Sequence, residues 1–360
     1  MNVLIFSKEA KWQGGVVNFI ETLKNNLATE IKADQFLIGG KKDKSKKLLK
    51  LFWPVFDATR LVFIVLAGKY DVYHLNPSLN AQSLYRDGLF LIIVRLFSNK
   101  RILVSFHGWE KSTEKTIKNS FFLSHLFKWA YNKADCTLVL ARPFKDWLCK
   151  QGFSANKVHL FTTMFDGDVL KGVRRKQPNE AIHLLFLSRF VKEKGIYELL
   201  EVFKKLHCEH DNLYLNFAGA GGEEQEMKAW VAKNNLKSVI HFYGYVRDED
   251  KANVFANSDI FVFPTYYGEG CPVSLLEAMA TGLGIVTTPV GGIPDIITSK
   301  MNGILIDENV KTQQLYDAID ELVTNRDYLD KMKEANFKQA WQRYEAPIVA
   351  KQFSAFYYEQ

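Results

Sequence analysis

Cysteine is scarce in this chain, and the 4 cysteines in its 360 residues show neither the paired spacing of a metal site nor the density of a disulfide framework. Long apolar runs without charge are also missing, so no segment is predicted to span a membrane. Residues 1–6 enter a strand pattern directly, without the charged start, apolar core and cleavage site of a signal peptide. These absences predict a cytoplasmic protein with reduced thiols.

Several motifs of other protein classes are absent from the sequence. It has no finger, no clear helix-turn-helix and no aromatic–basic sheet motif, so nucleic acid is not an expected partner. The first strand is not followed by a full Gly-x-Gly-x-x-Gly, which disfavours a dinucleotide-dependent dehydrogenase. A pyridoxal-binding lysine setting, which a phosphorylase would need, is not found either.

Charge is distributed unevenly along the chain. Residues 1–170 hold 25 Lys and Arg against 14 Asp and Glu, whereas residues 171–360 hold 22 against 26. The overall content of 47% hydrophobic and 24% charged residues is that of a soluble globular protein, and the length suits two domains. The basic first half therefore predicts an anionic partner for that half.

Strand-like and helix-like stretches alternate along most of the chain, which is typical of parallel sheets with helices on both faces. The pattern restarts at Ile182, after a basic and polar stretch at 171–179 that we interpret as a linker. We predict an α/β fold with two Rossmann-like domains whose parallel sheets face each other across a cleft. Residues 1–170 form the first and 171–344 the second, and a final helix at 345–360 packs back onto the first.

The most informative stretch is Glu269–Glu277, which joins a predicted strand at 259–263 to a predicted helix at 273–280. Pro272 suits a first helical position, because its missing N–H has no intrahelical partner there. The amides around Gly270, Val273 and Ser274 would then offer a phosphate or a sugar hydroxyl the positive end of a helix. With a carboxylate at each end of the stretch, the pattern suits a sugar nucleotide.

Arg189 and Lys194 follow the first strand of the second predicted domain, at the carboxyl end where open α/β sheets bind ligands. An arginine fork and a lysine point charge can stabilise the negative charge that grows on a departing diphosphate. The alternative is a solvated, charged loop between a strand and a helix.

In the first domain, Gly14 and Gly15 separate the first strand from the first helix, where glycines let amides approach a phosphate. A simple tight turn explains them equally well. His107 follows another strand and can hydrogen-bond a sugar hydroxyl, or it can be a loop histidine without a role.

Two further loops follow strands of the second domain. Gly219 lies in the glycine-rich loop after one strand, and Tyr245 and Val246 follow the next. These three residues are candidates to line the nucleotide base, although ordinary strand-to-helix turns account for both loops. Residues 291–295 look like a structural turn with a proline in the first turn of a helix.

Taken together, these motifs resemble glycosyltransferase family 4, whose members are retaining enzymes of the GT-B fold. The likeness covers nearly the whole chain and is strongest over 182–307. The hinge stretch Phe161–Asp168 departs from the family's usual pattern, so no donor contact is carried over there. Cys271 stands where bulkier residues are common, and we interpret it as a small packing residue.

The resemblance implies a role for each candidate residue. Glu277 would hold the ribose, whereas Glu269 with the amides of Gly270 and Cys271 would hold the donor sugar. The diphosphate would lie on Arg189 and Lys194, helped by the Gly14–Gly15 loop. His107 would contact the sugar near the reacting carbon. The family needs no divalent metal, and neither glutamate is expected to be a nucleophile.

The first domain is expected to bind the acceptor. Its basic run 41–47 leads into an aromatic stretch at 48–56, and a second aromatic stretch lies at 121–129. Basic residues beside amphipathic aromatic helices suit an anionic membrane surface, although apolar helix faces usually pack inward. A lipid-linked glycan would be an acceptor consistent with a protein peripheral on the inner face of the cell membrane.

The sequence therefore predicts a retaining, metal-independent hexosyltransferase-type enzyme of cell-surface polysaccharide, including lipopolysaccharide, biosynthesis. Its donor would be a nucleotide diphosphate sugar, with UDP or GDP as the expected nucleotide. Its acceptor would be a glycan or a lipid-linked glycan. The alternatives are a non-catalytic partner that binds a sugar nucleotide or a membrane, and a sugar-nucleotide epimerase on the same scaffold.

Overall fold

The computed structural model describes residues 1–9, 14–39, 53–171 and 181–358. The chain forms two compact units. Unit 1 comprises Met1–Met164, Gly268–Gly270 and Ala346–Gln360, and unit 2 comprises Phe165–Tyr267 and Cys271–Glu345. The predicted linker and the basic run 41–47 lie outside the described residues, except for Lys171.

Unit 1 is built around a six-stranded parallel sheet. Its strands are β1 (Asn2–Ser7), β2 (Lys32–Leu37), β3 (Val72–Leu75), β5 (Arg101–Phe106), β7 (Cys136–Val139) and β8 (Val158–Leu160). The spatial order is β2-β1-β3-β5-β7-β8, so the order reverses between β1 and β3. The short strands β4 (Ser78–Leu79) and β6 (Gly108–Trp109) pair separately.

Seven α-helices belong to the described part of unit 1. They are α1 (Gly15–Asn26), α2 (Trp53–Leu66), α3 (Ala81–Phe97), α4 (Lys111–Asn119), α5 (Phe121–Tyr131), α6 (Arg142–Lys150) and α14 (Ala346–Tyr358). Helix α14 packs on α1, where the rings of Phe353 and Phe19 lie 5.8 Å apart. The final helix thus completes the core of the unit that contains β1.

Unit 2 contains a second six-stranded parallel sheet. Its strands are β9 (Ile182–Leu187), β10 (Leu213–Ala218), β11 (Ile240–Gly244), β12 (Ile260–Phe263), β13 (Gly284–Thr287) and β14 (Ile304–Leu305). The order β11-β10-β9-β12-β13-β14 is that of a Rossmann sheet, with its reversal between β9 and β12.

The helices of unit 2 are α7 (Gly167–Leu170), α8 (Ile196–Glu209), α9 (Glu224–Lys233), α10 (Asp248–Ala256), α11 (Val273–Ala280), α12 (Thr312–Thr324) and α13 (Arg326–Arg343). A 3-10 turn at Lys192–Lys194 precedes α8. The central strand β12 is buried throughout, as expected of a parallel strand covered on both faces by helices.

The structure follows the predicted alternation closely, and α11 has the bounds 273–280 that the sequence predicted. The sequence analysis assigned no strand to β2 and no helix bounds to α2, α4 or α6. Strand β2 lies at the sheet edge and begins with the mostly polar stretch Lys32–Gln35, so it lacks the apolar run that marked the other strands. Among the described residues, no helix has both the length and the apolar character needed to cross a bilayer.

Candidate functional site

The carboxyl ends of β9 and β12 lie at the reversal point of the second sheet, where the loops on either side diverge and leave room for a ligand. Two loops leave the sheet there, one from Ser188 to Gly195 and one that begins at Pro264. The predicted residues Arg189 and Lys194 lie on the first of these loops, with Arg189 exposed and Lys194 only 4% exposed.

Tyr267, on the second loop, brings these two cations together. Its ring centroid lies 5.6 Å from Arg189 Cζ and 4.8 Å from Lys194 Nζ. Lys194 Nζ also lies 5.1 Å from the ring of Phe263 at the end of β12. Both cations therefore reach the face of one partly exposed tyrosine, which the sequence analysis did not single out.

Backbone hydrogen bonds fix the two loops against each other. The amides of Tyr266 and Tyr267 both donate to the Glu193 carbonyl, at 2.9 and 3.1 Å. Gly195 has a φ of 74°, and a Cβ there would lie 2.1 Å from the Pro264 carbonyl oxygen. Only glycine fits this position, so the close approach of the loops depends on it.

The predicted helix after this loop is present as α11, but Pro272 is its N-cap rather than its first helical residue. The carbonyl of Pro272 accepts from the amides of Leu275 and Leu276. Val273 and Ser274 occupy the first turn, where amides have no partner within the helix. Cys271 is buried, in agreement with a packing role, whereas Val273 and Ser274 are partly exposed.

Glu277 is buried at the fifth position of α11 and forms an ion pair with Lys251 of α10. Lys251 Nζ donates to Glu277 Oε1 at 2.5 Å. Burial raises the pKa of Glu277, and the adjacent ammonium of Lys251 opposes that rise. Lys251 is a second residue that the sequence analysis missed, because it is one charge within the acidic start of a surface helix.

Three more candidates lie at the same edge of the second sheet. Gly219 donates its N–H to the Gly244 carbonyl at 2.7 Å, and a Cβ on it would lie 1.9 Å from the Ser188 carbonyl oxygen. Tyr245 is 61% exposed, with Arg247 Cζ 4.9 Å from its ring, and Val246 is partly exposed. The loops that follow β9, β10 and β11 therefore converge at one edge.

In unit 1, His107 lies at the carboxyl end of β5, packed against the rings of Phe19 and Phe161. Its Nε2 lies 2.9 Å from Asn76 Oδ1. The Asn76 amide nitrogen donates to the carbonyls of Phe6 and His74, which leaves Oδ1 as the acceptor for His107. His107 Nε2 therefore donates, and Nδ1 carries the lone pair. Burial lowers the pKa of His107 to about 3, so the ring is neutral at pH 7.

Gly14 and Gly15 are exposed at the start of α1, near the carboxyl end of β1. A Cβ at Gly15 would meet no atom within 4 Å, so steric crowding is not the reason for that glycine. Gly270 is different, because a Cβ there would lie 2.6 Å from Leu140 Cδ1 and 3.4 Å from the His107 carbonyl oxygen. Glu269 beside it is partly exposed.

The site residues include cations, amides and carboxylates, but they do not include a set of metal ligands. Within the described ranges, no three His, Cys, Asp or Glu side chains are grouped so that they could hold a metal ion. Arg189 and Lys194, which share the ring of Tyr267, are two cations that could bind an anionic group at the second sheet.

A family model described as glycosyl transferases group 1 matches residues 173–339. Among curated relatives, the chain is 23% identical over 220 residues to the amylovoran biosynthesis glycosyltransferase AmsK of Erwinia amylovora. That match covers 60% of this chain and 53% of the relative. A Salmonella typhimurium protein named for colanic acid biosynthesis is 24% identical over 217 residues, which are 58% of this chain and 52% of the relative. The chain thus matches about half the length of these relatives.

Solved structures match over the whole chain. Anabaena HepE in complex with UDP and glucose has a TM-score of 0.74 at 15% identity, with 99% of each chain covered. Sucrose-phosphate synthase from Thermosynechococcus elongatus has a TM-score of 0.77 at 18% identity, with 99% of this chain and 98% of that chain covered. These neighbours have the GT-B fold, which confirms the predicted fold class.

Proposed function

Since residues 173–339 match the family model of glycosyl transferases group 1, we propose that this chain moves a sugar from a nucleotide diphosphate sugar to a glycan of a cell-surface polysaccharide. One observation carries the proposal. Arg189 and Lys194 both contact the ring of Tyr267 at the reversal point of the second sheet. Tyr267 itself lies on the loop that leads into α11. A diphosphate needs such a pair of cations, and α11 adds the positive end of its dipole.

The donor would occupy the carboxyl edge of the second sheet. Glu277 would accept hydrogen bonds from the ribose hydroxyls, and Lys251 would keep its buried carboxylate ionised. Gly219, Tyr245 and Val246 would line the base. The amides of Gly270, Cys271, Val273 and Ser274, together with Glu269, would hold the sugar and phosphate.

In the reaction, the bond between the anomeric carbon and the diphosphate oxygen breaks while the acceptor hydroxyl oxygen bonds to that carbon. The hydroxyl proton passes to the leaving diphosphate, whose developing charge Arg189 and Lys194 stabilise without a divalent metal. His107 is neutral at pH 7, so its Nδ1 would accept a hydrogen bond from a sugar hydroxyl near the reacting carbon. The acceptor would enter on the face from which the diphosphate leaves, so configuration is retained and no carboxylate is needed as a nucleophile.

The relatives favour a hexosyl donor and a polysaccharide product. HepE binds UDP and glucose, and the relatives from Erwinia and Salmonella are named for amylovoran and colanic acid biosynthesis. UDP is therefore the first nucleotide to test, with GDP second. None of these matches supports a non-catalytic partner or an epimerase. The basic first unit would bind the acceptor, a glycan or a lipid-linked glycan, at the inner face of the cell membrane.

A thermal-shift screen of UDP, GDP, ADP and CMP tests the donor site directly. A ligand that binds only the folded protein raises its melting temperature, and we expect the largest rise with UDP or GDP. The matching nucleotide sugars, incubated with a glycan acceptor, should release nucleoside diphosphate in the presence of EDTA, and the product should keep the donor's anomeric configuration. The proposal is wrong if no nucleotide stabilises the protein and no diphosphate is released.

A further inference from the structure

Exposed apolar side chains are concentrated on three helices of unit 1. Of the nineteen large apolar or aromatic side chains that are exposed among the described residues, eleven lie on α2, α3 and α5. The most exposed are Phe121 (81%), Phe122 (75%), Leu96 (73%) and Phe63 (70%). Helix α3 contacts both α2 and α5, so these side chains belong to one helical layer. Apolar surface of this extent is typical of an interaction site.

An apolar groove runs between α3 and α5 in this layer, with a volume of about 140 Å³. Leu84, Leu89 and Ile92 line it from α3, and Leu123, Leu126 and Phe127 line it from α5. Gly88 also lines the groove, and a Cβ on it would make an ordinary contact with the Tyr131 ring at 3.4 Å. The groove is suited to a hydrocarbon chain and offers few polar groups to a peptide.

The charge beside this layer is positive. Lys111, Lys115 and Lys118 lie on one face of α4, at i, i+4 and i+7, and the buried Thr113 and Ile117 lie on the opposite face. These three lysines are exposed, and none forms an ion pair with another described residue. Helix α4 packs on α5, and Phe121 and Phe122 begin α5 two and three residues after α4 ends.

Among the described residues, the acidic side chains of α2, α3 and α4 form no ion pair with these lysines. Asp57 of α2 and Asp87 of α3 are each 1% exposed, and Asp87 pairs with Arg86. Glu114 of α4 accepts a hydrogen bond from Trp109 Nε1 at 2.5 Å. Apolar side chains flanked by unpaired lysines complement an anionic bilayer, whose acyl chains and phosphates match the two halves of the surface.

We infer that α3, α4 and α5 form a docking surface for an anionic lipid bilayer, with an acyl chain in the α3–α5 groove and lipid phosphates on the α4 lysines. The inference deepens the proposed function, because it assigns the partner of the unit that would bind the acceptor. His107 precedes α4 by four residues, so the docking surface directly follows a candidate reaction residue along the chain.

Vesicle co-sedimentation of the full chain, without donor, tests the inference independently of catalysis. The protein should bind vesicles of phosphatidylcholine mixed with phosphatidylglycerol, and raised salt should release it. Lys111→Gln, Lys115→Gln and Lys118→Gln together should weaken binding about a hundredfold, since each lysine contributes roughly a factor of five near such a surface. The matched control is Lys205→Gln with Lys237→Gln and Lys331→Gln, exposed lysines of unit 2, which should bind like the wild type.

A second measurement tests the apolar half of the surface. Phe121→Ser with Phe122→Ser should weaken binding at least tenfold at unchanged charge, because each exposed ring would lose its burial in lipid. Trp129, 54% exposed on α5, should give a blue shift of fluorescence with vesicles that Trp129→Phe removes. The inference is overturned if the two lysine triples bind equally. It is also overturned if light scattering shows a dimer that the phenylalanine variant dissociates, since a second copy would then be the partner.

Discussion

Lys251 Nζ lies 2.5 Å from Glu277 Oε1, and through this pair the start of α10 reaches the buried carboxylate of α11. Glu277 is 7% exposed, so its ionised form depends on the cation beside it. Lys251 holds one carboxylate oxygen, and under the proposed function the other would accept a hydrogen bond from a ribose hydroxyl. The pair would then link the charge state of Glu277 to nucleotide binding.

Lys251→Met should weaken nucleotide binding and make it depend on pH. Burial raises the pKa of Glu277, and Lys251 lowers it, so removal of Lys251 raises it further. The carboxyl group then takes up a proton at a higher pH, and affinity should fall as pH is lowered, beginning at a higher pH than in the wild type. We expect a loss of about tenfold near neutral pH, measured by titration calorimetry with UDP. Lys251→Arg keeps the charge and should restore the wild-type profile. Superimposable pH profiles for the Met variant and the wild type would contradict the assignment.

Arg189→Ala combined with Lys194→Met should lower turnover by roughly a thousandfold or more, because each donor to a developing negative charge is worth about 10²–10³. Methionine keeps the apolar contacts of the buried Lys194 stem. Lys192→Ala is the matched control, since Lys192 lies on the same turn with its side chain 67% exposed. Initial rates of diphosphate release measure the effect, and melting temperatures check the fold. A double variant with wild-type turnover would remove both cations from the mechanism.

His107 should make the protein less stable as pH falls below about 6.5. Its pKa is about 3 in the folded state and about 6.5 when unfolded, so the unfolded chain binds the extra proton first. Stability is therefore lost between these two values, by about 2 kcal/mol at pH 5. Urea unfolding at pH 7 and pH 5 measures this loss of stability. The loss should be about 2 kcal/mol smaller in His107→Gln than in the wild type. If the wild type and His107→Gln lose equal stability between pH 7 and pH 5, a group other than His107 takes up the proton.

Gly195→Ala should destabilise the protein by at least about 2 kcal/mol, because the backbone conformation is left-handed and the new Cβ would overlap the Pro264 carbonyl. Turnover should fall as well, since Lys194 is the preceding residue. Gly222→Ala provides the comparison, because a Cβ there meets no atom within 4 Å and φ is not positive. Chemical unfolding of both variants gives the measurement. Similar stabilities would show that the two loops can separate at little cost.

Most of the fold could be predicted from the sequence. Alternating strands and helices predicted both parallel sheets, and the GT-B neighbours confirm them. The resemblance to a glycosyltransferase agrees with the group 1 family model that matches residues 173–339 and with the similarity to proteins named for colanic acid and amylovoran biosynthesis. The strongest signals were local ones, such as the Pro272 turn into α11, whose helix bounds the sequence predicted exactly.

The parts that the sequence could not supply are contacts between distant positions. Lys251 and Glu277 are 26 residues apart, and Lys194 is 73 residues from Tyr267, so nothing in the local pattern pairs them. The tautomer of His107 depends on Asn76, whose own orientation is fixed by two carbonyls. The pair Tyr266-Tyr267 follows the end of β12 by a few residues. It was the sequence signal from which an aromatic contact with the two cations could have been predicted.

The order of the two units along the chain affects how each can fold during synthesis. Helix α14 supplies Phe353 and Tyr357 to the core of unit 1, and the Tyr357 hydroxyl lies 2.9 Å from Nδ1 of the fully buried His74. During synthesis, residues 165–345 leave the ribosome before α14 does. Unit 2 can therefore reach its final structure while the core of unit 1 still lacks the side chains of α14. Removal of the last helix would therefore damage the half of the protein that was translated first.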